Sequence, residues 1–134
     1  MIAAVVTAAV LSKPQYQALL AKADARITLA EGAAERGITP KASRVKVATL
    51  LEGWATAEAA NARAFSAVTP PAAVRTANAL LVRGERLYAA EIRQAAHDVR
   101  TAKSPRAVVV KLLSHARGPR LVDRALAQLK KLGY

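Results

Sequence analysis

The chain has 134 residues, of which 53% are hydrophobic and 22% charged, and its formal net charge is +12 at pH 7. This length and composition are typical of one folded domain and exclude wholesale disorder. Cysteine is absent, which excludes disulfides, thiol nucleophiles and thiolate metal sites. Because alanine is the most frequent apolar residue, with 33 of the 71, we expect helices with thin faces that approach one another closely.

Residues 1–11, MIAAVVTAAVL, form an uncharged apolar run. A bilayer-spanning helix needs about 20 apolar residues, so the run is too short to be one. It has the length of the apolar region of a signal peptide, although no basic residue precedes it. Two interpretations stay open for residues 1–12: a signal or leader segment whose true start lies upstream, or an apolar segment packed in the core as a first helical turn. Residues 13–134 are predicted to form a single helical-bundle domain.

Four helices are predicted, near residues 12–36, 40–67, 70–103 and 105–132. The first begins with a capping box, in which Ser12 is the N-cap and Gln15 stands three residues later. Each of the other three begins with a hydroxyl residue followed by proline, a pairing that suits an N-cap and a first turn. These pairs are Thr39-Pro40, Thr69-Pro70 (with Pro71 following) and Ser104-Pro105, and Gly118-Pro119 is predicted to stop or kink the last helix. No alternating strand pattern is present. The sequence therefore predicts an all-α, antiparallel bundle of about four helices.

Two polar residues interrupt the apolar stripe of the second predicted helix. Glu58 and Asn61 follow Trp54 in that stripe at helical spacing. We interpret them as a boundary position and an interhelical hydrogen bond, with a buried binding pair as the alternative.

The third predicted helix carries a glycine, Gly84, within its own apolar stripe. Since a glycine at such a position lets two helices approach closely, it predicts a tight helix crossing. Trp54 of the second helix is expected to be buried against this helix, at Leu81 or Tyr88.

Little in the sequence points to catalysis. The two histidines, His97 and His115, have no partners at metal-ligand spacing, and no glycine-rich phosphate loop or nucleophile motif is present. The nine acidic residues form no convincing general acid–base pair. We therefore predict a protein that is not an enzyme, without catalytic residues, metal, cofactor or small-molecule substrate.

The positive charge is concentrated at the C-terminal end. Residues 100–134 hold nine basic residues and a single acid, Asp123. On a helical projection of residues 119–133, basic and apolar residues fall on opposite faces. Arginine donates two bonds to a phosphate, so this face is predicted to bind anions, with a merely solvated surface as the alternative. The candidate anion-binding residues are Arg106, Lys111, Arg117, Arg120, Arg124, Lys130 and Lys131.

Three stretches carry a resemblance to a known family: LSKPQYQALLAKADA, FSAVTPPAAVRTANALL and ALAQLKKLGY. They resemble a broad family of alanine-rich helical proteins of high-GC Gram-positive bacteria, secreted or lipid-anchored and without assigned activity. The likeness covers most of residues 11–134 and implies an extracytoplasmic or cell-envelope location. The family's lipid-accepting cysteine, and the cysteine pair that joins its first helix to its C-terminus, are missing from this chain.

Three functions are therefore considered. The first is an extracytoplasmic helical module that binds an anionic envelope component, either a polymer or a lipid surface. The second is a cytoplasmic protein that binds nucleic acid through its backbone only, because no aromatic residues interleave with the basic ones. The third is a purely structural or oligomerising bundle, whose oligomeric state the sequence leaves open.

Overall fold

The structure, a computed structural model, describes residues 9–134. About 80% of these residues are helical, and the protein is an all-α bundle, as the sequence predicts. The fourth predicted helix is bent by 38° at residues 116–117, and its two halves are α4 and α5. A 3₁₀ turn, Ala72–Val74, precedes α3. The helices are α1 (Lys13–Gly37), α2 (Arg44–Ser66), α3 (Arg75–Val99), α4 (Pro105–His115) and α5 (Gly118–Lys131).

The helices α1, α2 and α3 run antiparallel, each to the next. The start of α1 meets the end of α2 through the rings of Tyr16 and Phe65. Trp54 of α2 packs edge-on against Tyr88 of α3, with ring centroids 5.4 Å apart, and it is only 7% exposed. The predicted burial of Trp54 against the third helix is therefore confirmed. The helix α3 lies at the centre, because α2, α4 and α5 all pack against it.

The N-caps of α1 and α4 are confirmed. Ser12 accepts a hydrogen bond from the backbone of Gln15, whose side chain accepts one from the Ser12 backbone. Ser104 accepts a hydrogen bond from the backbone N–H of Ala107. In both helices a proline occupies the first turn, where a missing N–H leaves no bond unmade.

The predicted start of α2 at Thr39-Pro40 is wrong. The helix begins at Arg44, and its cap is Ser43, which accepts a hydrogen bond from the Lys46 backbone. Thr39 and Pro40 form a turn instead, closed by the Ala42 N–H on the Thr39 carbonyl at 3.0 Å. Proline at the second position of such a turn is favourable, which explains why the same pair of residues adopts it.

The predicted cap at Thr69 is also wrong. The helix α3 begins at Arg75, after the 3₁₀ turn, and no side-chain cap bond starts either element. A proline excludes the residue before it from the helical region, so Pro71 prevents Pro70 from joining a first turn. Pro71 is itself extended, with ψ of 142°. The helix also ends at Val99, four residues earlier than predicted.

Two glycines allow α5 to lie directly on α3. A Cβ on Gly84 would stand 2.9 Å from the backbone nitrogen of Val122. A Cβ on Gly118 would stand 2.5 Å from the backbone nitrogen of Tyr88. The tight crossing predicted at Gly84 is therefore confirmed, and the bend before Gly118 is what brings α5 onto α3.

The open interpretations for residues 1–12 fall mainly on residues 1–8, which lie outside the described residues. Residues 9–12 are not helical; Val10 forms an isolated bridge with Thr69, and the Leu11 N–H donates to the Thr69 carbonyl at 2.9 Å. Within residues 9–134, no helix is both long and apolar enough to cross a membrane.

Candidate functional site

The structure places the seven predicted anion-binding residues on the outside of α4, α5 and the bend between them. All seven are exposed. Arg120, Arg124 and Lys131 lie along one side of α5, as the helical projection predicts. Within the described part of the chain, none of the seven side chains takes part in an ion pair. We call these seven residues the basic face.

The bend that joins the two halves of the basic face is held by an acid of α3. The backbone N–H groups of Arg117 and Gly118 donate to the two carboxyl oxygens of Glu91, at 2.8 Å and 2.9 Å. A carboxylate at this position is also attracted by the positive, N-terminal end of the α5 dipole. Glu91 therefore fixes the direction in which α5 leaves α4.

The opposite side of α5 is apolar, as predicted, although not all of it is buried. Ala125 and Leu129 are buried, whereas Leu126 is 44% exposed and Leu132 lies beyond the last helical residue. Leu126 is exposed because it lines a cavity rather than the core.

That cavity, about 460 Å³ in volume, lies among α1, α2, α3 and α5. Its walls include Leu20, Ile27, Leu81 and Leu126. No lysine or arginine belongs to its described lining, yet five of the nine acidic residues of the chain do. These five residues are Asp24, Glu31, Glu58, Glu85 and Asp123. We call this cavity the acidic pocket.

Two of the five acids are buried and interact directly. Glu58 is 3% exposed and Glu85 is 5% exposed. Burial raises the pKa of the Glu58 carboxyl well above its ordinary value, and the hydrogen bond and charge of Glu85 raise it further. Burial also raises the pKa of Glu85, although the hydrogen bonds from Glu58 and Asn61 oppose this. The pair therefore retains a proton near neutral pH, with Glu58 as the residue that donates to Glu85.

Side-chain hydrogen bonds surround this pair. The Trp54 indole N–H donates to Glu58 Oε1 at 3.1 Å. The Asn61 side chain donates to the Ala23 carbonyl at 3.2 Å, and its oxygen accepts a bond of 2.5 Å from Arg26. The predicted interhelical hydrogen bond of Asn61 is therefore confirmed. The interpretation of Glu58 as a boundary position is wrong, because α3 covers it and supplies its carboxyl partner.

One further acid of the pocket, Glu31, and a tyrosine, Tyr88, also have raised pKa values. Burial raises the pKa of Glu31, and the charges of Glu58, Glu35 and Asp24 raise it further. Burial likewise raises the pKa of Tyr88, with the charges of Glu58 and Glu31 as the next causes. The acidic pocket is thus a region of negative potential inside a strongly basic protein.

The arrangement can hold a proton or a positively charged group. It does not resemble a metal centre: no group of three or more His, Asp or Glu side chains among the described residues could hold a metal ion. The pairing of Glu58 with Glu85 was not predicted, because it depends on the register of α2 against α3. One signal was available, since Glu85 stands four residues after Leu81 and three before Tyr88, at the spacing of a buried seam.

Comparisons of the chain with protein-family models, with curated proteins and with solved structures find no match.

Proposed function

We propose that the protein is a non-enzymatic binding module of the cell envelope, which attaches to a phosphate-rich polymer or lipid surface through the basic face. The observation that carries the proposal is that all seven basic side chains are exposed and none is in an ion pair within the described residues. A surface of this kind attracts polyanions, because each neutralised phosphate releases condensed counterions.

The geometry of α5 suits an extended partner. Arg120 and Arg124 lie one turn apart, and Lys131 lies about 11 Å further along the helix, at a rise of 1.5 Å per residue. The resulting row matches a chain or sheet of repeated charges better than a single small anion. The two arginines can each donate two parallel bonds to a phosphate.

The distribution of acids supports the same proposal. Four of the nine acids, Asp24, Glu31, Glu58 and Glu85, line the acidic pocket from α1, α2 and α3 and therefore do little to neutralise the outer side of α5. Asp123 is the one acid in residues 100–134, so the field over α4 and α5 stays positive. The envelope location rests on the family resemblance alone.

Vesicle sedimentation tests the proposal. Wild type is expected to bind vesicles of phosphatidylglycerol but not of phosphatidylcholine, and to lose this binding between about 50 mM and 500 mM salt, as counterion release requires. The triple variant Arg120→Glu, Arg124→Glu, Lys131→Glu should lose the binding and keep its helicity.

The matched control reverses three other exposed arginines, on α3: Arg75→Glu, Arg83→Glu and Arg86→Glu. It changes the net charge by the same amount and should retain most of the binding. Salt-sensitive binding to DNA without binding to anionic vesicles would replace the proposal by the nucleic-acid alternative. Binding to neither would leave a solvated face on a structural bundle.

A further inference from the structure

One buried oxygen of the acidic pocket has no hydrogen-bond partner. It is Oε2 of Glu85, a residue that is 5% exposed and lines the cavity. Buried polar atoms in folded proteins are nearly always paired. An unpaired oxygen that lines a cavity is therefore a position at which a bound donor would complete the structure.

The charges around this oxygen decide which kind of donor fits. The other titratable residues that line the pocket are Asp24 and Glu31 from α1, Tyr88 from α3, Asp123 from α5 and Tyr134, which follows α5. Arg26 of α1, the cation that contacts the pocket residue Asn61, is already bonded to the Asn61 side-chain oxygen. An anionic ligand would be repelled, and a wholly apolar one would leave Oε2 unpaired.

The walls of the pocket require an apolar body beside the donor. Leu20 and Ile27 from α1 line the cavity together with Val122 and Leu126 from α5. The volume of about 460 Å³ falls within the range of small-molecule sites, roughly 300–1,000 Å³. A bare inorganic cation would leave these walls in contact with water.

We propose that the acidic pocket binds an amphipathic organic cation, a primary amine on an apolar body, whose ammonium group donates to Glu85 Oε2 and pairs with the Glu58–Glu85 carboxyls. The apolar body lies between α1 and α5. Nothing in this site overlaps the basic face, so the proposal does not depend on the function proposed above.

Binding should release a proton. The Glu58–Glu85 pair holds one proton near neutral pH because burial raises the pKa of both carboxyls. An ammonium group brings its own positive charge to the pair, and the shared proton leaves to solvent. Affinity should therefore increase as the pH rises through the range in which the free pair loses that proton, up to the pH at which the amine itself deprotonates.

Three probes of equal length test the proposal by calorimetry: 4-phenylbutylamine, 4-phenylbutanol and 4-phenylbutanoate. At pH 7.5 the amine should bind wild type at least about tenfold more tightly than the alcohol, since charge-assisted hydrogen bonds are stronger than neutral ones. The carboxylate should not bind. In two buffers of different ionisation enthalpy, the amine should show proton release.

Two variants locate the site. Glu85→Gln keeps the shape and removes the charge, so it should reduce the preference for amine over alcohol to less than about threefold. Leu126→Arg places a cation at the exposed rim of the pocket and should abolish amine binding. The control is Glu52→Gln, an exposed acid of α2 outside the pocket, which should bind the amine as wild type does.

Circular dichroism of each variant confirms that it is folded. The proposal is overturned if folded wild type shows no saturable binding of the amine. It is also overturned if the amine and the alcohol bind equally, or if Glu85→Gln and Glu52→Gln lose affinity to the same extent.

Discussion

The two sides of α5 carry opposite charge in different ways. Its outer side presents Arg120, Arg124 and Lys131 to solvent, where they act together as a field. Its inner side closes a pocket whose acids include a buried pair, Glu58 and Glu85, and burial there changes the protonation of individual groups. Exposed charge thus selects partners by sign and number, whereas buried charge selects them by hydrogen bonding and shape. One amphipathic helix, α5, separates the exposed basic side chains from the buried acidic pair.

The largest effect is expected from separating α5 from α3. Gly118→Ala would place a Cβ 2.4 Å from Tyr88 Cβ and 2.5 Å from its backbone nitrogen. A rigid backbone cannot yield as a side chain does, so we expect a loss of about 3 kcal/mol in the free energy of unfolding. Chemical denaturation measures it.

The control for this prediction is Gly53→Ala in α2, where an added Cβ meets nothing within 4 Å. This variant should gain about 0.5–1 kcal/mol, because alanine is the better helix former. If the two alanine variants were equally stable, α5 would not lie on α3 as described, and the acidic pocket would have no fourth wall.

A second effect, of intermediate size, concerns the protons of the inner side. Burial raises the native pKa of Glu58 above that of the unfolded chain, which is about 4.3 for glutamate. Between these two pKa values the native state binds more protons than the unfolded chain does. The free energy of unfolding therefore decreases as the pH rises through this range. Glu58→Gln mimics the protonated form and can still accept from Trp54.

We therefore consider the free energy of unfolding of Glu58→Gln minus that of wild type. This difference should be larger at pH 8 than at pH 4.5 by at least about 1.4 kcal/mol, the equivalent of one pKa unit. Urea denaturation at the two pH values gives the difference. The exposed Glu52→Gln provides the reference, and a similar pH dependence in both variants would contradict a buried, proton-holding pair.

The smallest effect tests how α4, which carries part of the basic face, is held. Ser104→Ala removes the hydroxyl that accepts from the Ala107 backbone and should cost about 1 kcal/mol. Thr39→Ala changes a residue of the turn before α2 and should alter stability by less than about 0.5 kcal/mol. Thermal melts of the two variants should differ in this order. A larger loss of stability in Thr39→Ala than in Ser104→Ala would indicate instead that Thr39 caps α2.

Local rules predicted those parts of the fold that depend on neighbouring residues. The capping box at Ser12 and the cap at Ser104 need only a hydroxyl and the next turn of helix, and both are present. The rule failed at Thr39, where a second hydroxyl residue, Ser43, competes for the cap. It failed again before α3, because Pro71 excludes Pro70 from the helical region and is itself extended.

The two candidate sites differ in the same respect, since one depends on local sequence and the other on contacts between helices. The exposure of the basic face follows from composition and helical period within residues 106–131, without reference to any contact with the rest of the chain, so the local sequence was enough to predict it. The acidic pocket joins residues from four helices, and its central pair depends on which residue of α3 meets Glu58. A single sequence does not show the register of α2 against α3. It therefore indicates that Gly84 lies at a helix contact, but not that Glu85 lies opposite Glu58.

Burial of the Glu58–Glu85 pair distinguishes the inner side of α5 from its outer side. The most direct test is a titration of the side-chain carboxyl carbons by ¹³C NMR, with Glu58 and Glu85 assigned from their glutamine variants. We expect at least one of the two carboxyls to titrate above pH 7, as a pair that shares a proton requires. Titration of both near the ordinary glutamate pKa of about 4.3 would contradict the account.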